Sequence, residues 1–313
     1  MEILSEPRVP GGVPAPVSVA IGVFDGVHLG HQAVVRRMVE AAGRHGARAV
    51  AVTFDPHPAA VLAHQHAPPA IQRIAQRLRS LAALGVDATW LIRFDESFSR
   101  QSGETFVNRL AGGFGALRSV HIGRGFTFGH RRSGNVALLQ QLGAAGGFTV
   151  DPVEPVRAHG GVVSSTRVRE LIRRGELQTV AELLGRPYSV AGAVEAGERL
   201  GRRLGTPTAN VNVDGLALPP LGVYAVQAII EGTAWPAVAN LGVRPTVSTG
   251  VAGVRLEAHL LDADEDLYGK EVEVRFHCRL RAEQRFDSVE ALQAQIQADI
   301  RAARAALAAP AGG

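Results

Sequence analysis

Between Val17 and Ala42 the chain switches from one hydrophobic period to another in a single step. An alternating apolar run, Val17 to Ile21, passes through Gly22-Val23-Phe24-Asp25-Gly26-Val27-His28-Leu29-Gly30-His31 into Gln32 to Ala42. There Val34, Val35, Met38, Val39 and Ala42 recur at helical spacing, so the stretch predicts a strand, a tight turn and a helix start. Gly22 and Gly26 permit backbone angles that other residues resist, and Gly30 lets a ligand lie close to the chain between two imidazoles. A helix N-terminus adds free amide donors and the positive end of a dipole, so the unit suits a phosphate.

Further along, the same alternation of strand and helix repeats. Arg48 to Phe54 reads as a buried strand stopped by Asp55-Pro56-His57-Pro58, Gln76 to Leu84 as a helix ending at Gly85, and Ala88 to Phe94 as a strand. Ser102 caps a helix through Phe106, Val107 and Leu110; Val120 and Ile122 mark a strand; Asn135 to Leu142 is helical, and Phe148 to Val150 a fifth strand. The expectation is a doubly wound parallel sheet of Rossmann type, whose ligands sit at the carboxyl ends of the strands. After Ser164-Ser165-Thr166 comes a helix carrying Arg167 and Arg169 that closes near Gly175, and a short one from Val180 to Leu184. Beyond Gly185-Arg186-Pro187 the pattern becomes alternating segments separated by turn residues: Tyr188 to Val194, Val223 to Ile230, Ala237 to Leu241, Arg255 to Leu261 and Val272 to Cys278. A mostly antiparallel barrel follows, with a terminal helix over Ser288 to Leu307 packed on it. The expected domains are 1–184 and 185–313, and the segments before Val17 and after Leu307 are expected to be disordered.

Composition narrows the function. Cys278 is the only cysteine, which excludes intrachain disulfides and a cysteine-rich metal site. No apolar run is long enough to span a bilayer, and Glu2, Glu6 and the early prolines replace the apolar core of a signal peptide, so a cytoplasmic location with no membrane partner is expected. The isoelectric point near 9.9 coexists with a formal charge of only +4. Lys270 is the sole lysine, and arginines hold the isoelectric point high without much net charge at neutral pH, so no nucleic-acid partner is expected. Lys270 is followed by Glu271, which rules out a Walker A loop.

His28 and His31, three residues apart, can face one ligand at a helix start. On residues alone the pair suits a metal, a helix cap, or the charge that builds when a nucleotide's α-phosphorus is attacked. Ser164, Ser165, Thr166, Arg167 and Arg169 fit either an N-capped helix with solvated arginines or a triphosphate cradle, arginine offering a forked, permanent charge. Gly192, Gly197, Gly201 and Gly205 recur every four or five residues, as a glycine-rich hairpin or a phosphate-wrapping loop would.

Gly22 to His31 resembles the nucleotidyltransferase signature of the bifunctional prokaryotic riboflavin kinase/FMN adenylyltransferases, and Val163 to Arg169 is similar to their second signature. Arg186-Pro187-Tyr188 through Pro207-Thr208-Ala209-Asn210 resembles the riboflavin kinase signature, the more specific match. The resemblance runs from about Val17 to Leu307. It implies a nucleotidyltransferase domain followed by a Greek-key kinase barrel, acting on riboflavin, FMN and ATP with Mg²⁺. In the first domain it implies His28 and His31 in catalysis and Gly22, Phe24, Asp25, Gly30, Ser164, Ser165, Thr166, Arg167 and Arg169 on ATP. Flavin contacts are implied for His57, Asn108, Phe126, Phe128 and Arg244, with Phe126 and Phe128 equally suited to a core. In the second it implies Glu257 as general base at the barrel mouth, Thr208 and Asn210 on Mg²⁺, and Gly192, Gly197, Gly201, Gly205 and Asn210 on ATP. Gly125 stands where the family usually has Asp or Asn, Val247 where Phe is common, and Ala263 replaces a usual Phe. The departures at Gly125 and Val247 keep a second reading open, in which one half alone is active and the other is a flavin-binding or regulatory module. A flavin-responsive regulator that binds nucleic acid through its arginines is the third.

Overall fold

Six parallel strands form the first sheet of a computed structural model that describes residues 1–8, 15–63, 67–195, 208–243, 253–261 and 267–308. The chain divides into two units, Met1–Pro68 with Ile74–Ser165, and Pro69–Arg73 with Thr166–Gly313.

The first unit runs β1 (Glu2–Leu4), β2 (Val17–Ile21), α1 (Leu29–His45), β3 (Arg48–Asp55), α2 (Pro58–Leu62), α3 (Ile74–Ala82), β4 (Ala88–Arg93), α4 (Glu96–Ser99), α5 (Gly103–Phe114), β5 (Leu117–Gly123), α6 (Val136–Gly146) and β6 (Thr149–Val153). A small hairpin, β7 (Arg157–Ala158) and β8 (Gly161–Val162), follows. The sheet order is β1-β4-β3-β2-β5-β6. From β2 the chain winds outward through β3 and β4, then returns to lay β5 and β6 on the other side, so its direction reverses between β2 and β5. Ligands of open parallel sheets sit outside the carboxyl ends of the strands at such a reversal.

Both faces of the sheet are covered, as the near-continuous apolar strands require. Val34, Val35 and Met38 of α1 pack on Ala20, Ala49 and Ala51; Phe106, Leu110 and Phe114 of α5 pack with Trp90 on Val19, Ile21 and Val50. Beneath α1 lies a polar row. Ser119 Oγ donates to Ser18 Oγ at 2.9 Å and lies 3.0 Å from His121 Nε2, whose Nδ1 is 3.3 Å from Asp151.

The segment before Val17, expected to be disordered, instead supplies β1, which pairs with β4. Trp90 Nε1 donates to the Ser5 carbonyl, and one Arg109 guanidinium nitrogen donates to both Glu6 oxygens at 3.1 and 2.8 Å, with the guanidinium 5.5 Å from the Trp90 ring centre. Three residues carry no period, and what orders them is a partner strand distant in sequence.

In the second unit α7 (Ser165–Arg174, its first residue lying in the first unit) and α8 (Leu177–Leu184) precede β9 (Ser189–Glu195), β10 (Ala209–Val211), β11 (Gly222–Ile230), β12 (Thr233–Val243), β13 (Val254–Leu260) and β14 (Glu271–Arg281), with α9 (Val289–Ala308) last. The six strands close into a barrel in the order β10-β13-β12-β11-β14-β9. Three consecutive antiparallel strands, β11 to β13, with β14 returning beside β11, make the expected Greek key. Strand β10, read in the sequence only as part of a motif, completes the closure. Tyr188, Tyr224 and Phe276 fill the interior, with ring centres 5.9 Å and 5.1 Å apart. Outside, Ile300, Ala303 and Leu307 of α9 cover Ala225, Val238 and Cys278. Asp299, 5% exposed, receives Arg281 through three bonds of 2.8 to 3.1 Å and Gln295 at 2.9 Å, which fixes α9 to β14.

Candidate active sites

The carboxyl end of β2 carries the first site. Past Ile21 the backbone enters a turn with φ of 53° at Phe24, 84° at Gly26 and 40° at Val27, the left-handed region that costs a non-glycine residue about 1–3 kcal/mol. Three side chains hold it there. Thr53 Oγ1 donates to the Val23 carbonyl, Ser165 Oγ to that of Asp25 and Gln32 Nε2 to that of Val27, each at 2.9 Å. Phe24 and Asp25 are themselves buried.

His28 ends the turn and caps α1, its Nδ1 accepting from the His31 amide at 3.3 Å. The two imidazoles stack 3.6 Å apart at 17°, and the Phe24 ring meets His31 edge-on at 5.4 Å. Close packing demands both flanking glycines. A Cβ at Gly22 would lie 2.7 Å from the Phe24 ring, and one at Gly30 would lie 3.2 Å from the His28 ring and 3.3 Å from the Val163 carbonyl. The arrangement is a pair of ring nitrogens at the N-terminus of a long helix, able to donate to anionic oxygens. Among the described residues no group of three His, Cys, Asp or Glu is placed to hold a metal ion.

Ser165, the first residue of α7, bonds the turn at the Asp25 carbonyl. Ser164 and Arg167 are half-buried, and Thr166 is exposed. Arg169 is buried and donates through Nε to the Pro69 carbonyl at 2.7 Å. Of the residues expected on the flavin, His57 caps α2 by accepting from the Ala59 amide at 3.1 Å, and Asn108 is exposed on α5. Phe128 belongs to the core; Phe126, half-buried, stacks on it at 5.8 Å.

On the barrel, Glu257 lies at the centre of a lateral row. It pairs in register with Asn210 of β10 on one side and Asn240 of β12 on the other. Leu256 and Ala258 beside it are fully buried, so period-two alternation points Glu257, Asn210 and Asn240 to the outer wall, the face α9 covers at Val238, and not into the mouth. Arg255, two residues earlier on the same face, donates to Glu257 Oε1 at 2.6 Å. Sequence reasoning passed over Arg255, although its spacing from Glu257 in an alternating strand is a same-face signal. Thr208 is half-buried just before β10, and the buried Asn210 Oδ1 has no hydrogen-bond donor among the described residues. Gly192 sits in β9 where a side chain would collide with the Asn212 carbonyl. Gly197, Gly201, Gly205, Arg244, Val247 and Ala263 lie outside the described residues.

Burial raises the Cys278 thiol above its usual range and does the same to the Tyr224 hydroxyl, which donates to the Pro220 carbonyl, so neither is poised as a nucleophile.

Comparison with known proteins matches residues 13–167 to FAD synthetase and 184–307 to riboflavin kinase. A bifunctional riboflavin kinase/FMN adenylyltransferase from Pseudomonas fluorescens is 43% identical over 93% of this chain and 92% of its own length. One from Escherichia coli K12 is 38% identical over 91% of each. A solved structure described as a macrolide-efflux protein from Streptococcus pneumoniae superposes with a TM-score of 0.82 at 30% identity, covering 96% of this chain and 98% of that one. No helix among the described residues is long and apolar enough to cross a membrane.

Proposed function

This chain belongs to the bifunctional riboflavin kinase/FMN adenylyltransferase family, and on that premise we propose a division of labour between its two units. The barrel, within residues 185–313, moves the terminal phosphate of ATP to the 5′-hydroxyl of riboflavin. The parallel-sheet portion, within residues 1–184, joins the resulting FMN to AMP from a second ATP, giving FAD and pyrophosphate. The observation that carries this reading is the presence in one chain of both folds, a parallel sheet matched to FAD synthetase and a closed barrel matched to riboflavin kinase.

For the kinase step, Glu257 takes the proton of the riboflavin hydroxyl as its oxygen attacks the γ-phosphorus and ADP leaves, a role worth about 10²–10⁴ in rate. Arg255 fixes one carboxylate oxygen, which leaves the other to face the hydroxyl. Thr208 and the donorless Asn210 Oδ1 are hard oxygen ligands that fit Mg²⁺, an ion that needs few protein ligands when phosphates supply the rest. When bound, that ion offsets charge on the ATP phosphates. Gly192 and Asn210 border the ATP.

For the adenylyl step an FMN phosphate oxygen attacks the α-phosphorus in line, and the bond to the β-phosphate oxygen breaks. No proton need leave the attacking dianion. His28 and His31 donate to the α-phosphoryl and bridging oxygens as their charge grows, and loss of one such donor typically costs about 10²–10³ in rate. Ser164, Thr166 and Arg167 at the start of α7 hold the departing phosphates. The buried Arg169 acts through the Pro69 bond that fixes its helix.

Incubation with riboflavin and MgATP, with products separated by chromatography, tests the reading. FMN should rise first and FAD follow, with one ADP and one pyrophosphate released per FAD. Accumulation of FMN without FAD, or failure to consume riboflavin, would sink it.

A further inference from the structure

The loop between β5 and α6 carries a strained arginine pair. Its backbone is left-handed at two successive non-glycine residues, Arg131 with φ 51° and Arg132 with φ 58°. L-residues resist that region, and it persists only where the surroundings impose it.

The surroundings here are a set of staples. Phe128 and Gly134 exchange backbone bonds, N–H to carbonyl, at 3.0 and 2.8 Å, closing the loop at its base. The Phe128 ring lies so close over Gly134 that a side chain there would collide with it. Ser133 Oγ accepts from the Gly103 amide at 2.9 Å, and the His130 amide donates to the Gln101 carbonyl at 2.7 Å. The tip thus stands on the core and on the start of α5, with Arg131 and Arg132 exposed. Neither guanidinium has an ion pair or hydrogen bond among the described residues, whereas Arg124 at the entrance of the same loop is paired with Glu154 at 2.6 Å.

Position gives the pair its meaning. The loop leaves the carboxyl end of β5, the strand adjacent and parallel to β2, whose carboxyl end carries the His28 turn. The chain reverses direction between these two strands, so the two loops wall the crevice in which a parallel sheet receives its ligand. One wall brings two imidazoles for the α-phosphate. The other brings two uncompensated fixed charges and, at its root, the half-buried Phe126 stacked on Phe128.

We propose that Arg131 and Arg132 grip the phosphate of the acceptor FMN, a dianionic monoester, and hold it for attack on the α-phosphorus of ATP. The inference rests on the adenylyltransferase reading. A phosphate monoester dianion matches two forked cations in charge and geometry, and the apolar ring at the loop root suits the aromatic end of the same molecule. The staples and the left-handed backbone hold both residues at the exposed tip.

The test compares wild type with Arg131→Met, Arg132→Met and the double variant Arg131→Gly/Arg132→Gly. Wild type must first make FAD from supplied FMN; if it does not, the adenylyltransferase reading fails by itself. Given that activity, the KM for FMN should rise about 10- to 100-fold in each Met variant, the scale of a lost charge-assisted bond, with the KM for ATP and FMN formation from riboflavin unchanged. Arg131→Lys and Arg132→Lys should recover part of the loss. The double Gly variant should lose FMN affinity while its Tm stays level or rises, because glycine relieves the left-handed strain. An unchanged KM for FMN, or a rise confined to ATP, overturns the proposal. So does a fall in Tm of the double Gly variant together with equal loss of both activities, since that marks a purely structural loop.

Discussion

Replacing Gly30 with alanine should separate catalysis from stability in the parallel-sheet unit. The added methyl would lie 3.2 Å from two atoms of the His28 ring and 3.3 Å from the Val163 carbonyl oxygen, a few tenths of an ångström inside ordinary contact. Backbone at Val163 resists moving, so the imidazole is what yields. Gly30 lies in the first turn of α1, where exchange for alanine gains about 0.5–1 kcal/mol of backbone entropy. Mild overpacking costs about 1 kcal/mol, the lower end of its range, because a side chain and not the backbone gives way. The two nearly cancel, and stability should remain within about 1 kcal/mol of wild type, a Tm change of no more than ~4 °C. The ring, however, already bonds the His31 amide at a long 3.3 Å and stacks at 3.6 Å, so a small rotation breaks both relations. A misplacement of about 1 Å costs about 10²-fold in rate, so the smaller shift here should cost roughly 10-fold. The assay is FAD formation from supplied FMN, with FMN formation from riboflavin in the same sample as internal control and thermal melting by circular dichroism alongside. A Gly30→Ala protein that makes FAD within threefold of wild type would refute the geometry argued for His28. A collapse of both activities together with a large drop in Tm would refute the stability balance.

Three further outcomes are expected. Burial depresses the His121 pKa below its ordinary 6.5 despite Asp151 beside it, with Arg44 and Arg37 of α1 adding to the depression. The unfolded chain therefore binds this proton more readily, and stability present above pH 6.5 is lost as pH falls below it. His121→Gln should flatten that loss when urea midpoints are compared at pH 7.5 and about 5.5, and an unchanged slope would remove His121 from the account. Asp299→Ala strands Arg281 and should cost about 3 kcal/mol, visible as a lower denaturant midpoint for the barrel; a cost below about 1 kcal/mol would mean the pair does not hold α9. Arg255→Met should lower kcat for FMN formation about 10- to 100-fold while leaving FAD formation from FMN intact, and a loss of both would contradict its local role.

Much of this molecule can be read from spacing alone. Strand β2, the turn and α1 announce themselves because period, glycines and cap lie within one short stretch, and Ser102 caps α5 where its side chain predicts, while Asn135, read as helical, caps α6. Arg255 and Glu257 share a face because strand alternation fixes it. What spacing does not carry is pairing. Glu2–Leu4 and Ala209–Val211 are too short to show a period and become strands only through distant partners. Likewise nothing local reveals that Phe24 and Asp25 are buried supports of the turn, or that Arg169 turns to the Pro69 carbonyl, since each depends on what the fold brings alongside. The left-handed Arg131 and Arg132 are invisible in sequence for the same reason: no glycine or asparagine marks them.

On the proposed reading, two independent sites in this chain act in series. The direct test supplies Glu257→Gln with MgATP and either riboflavin or FMN, and supplies His28→Ala/His31→Ala with the same pair. Glu257→Gln should make no FMN from riboflavin yet convert FMN to FAD at the wild-type rate, and the double histidine variant should make FMN from riboflavin and stop there. FMN production at the wild-type rate by Glu257→Gln, or FAD production at the wild-type rate by the histidine variant, would contradict it.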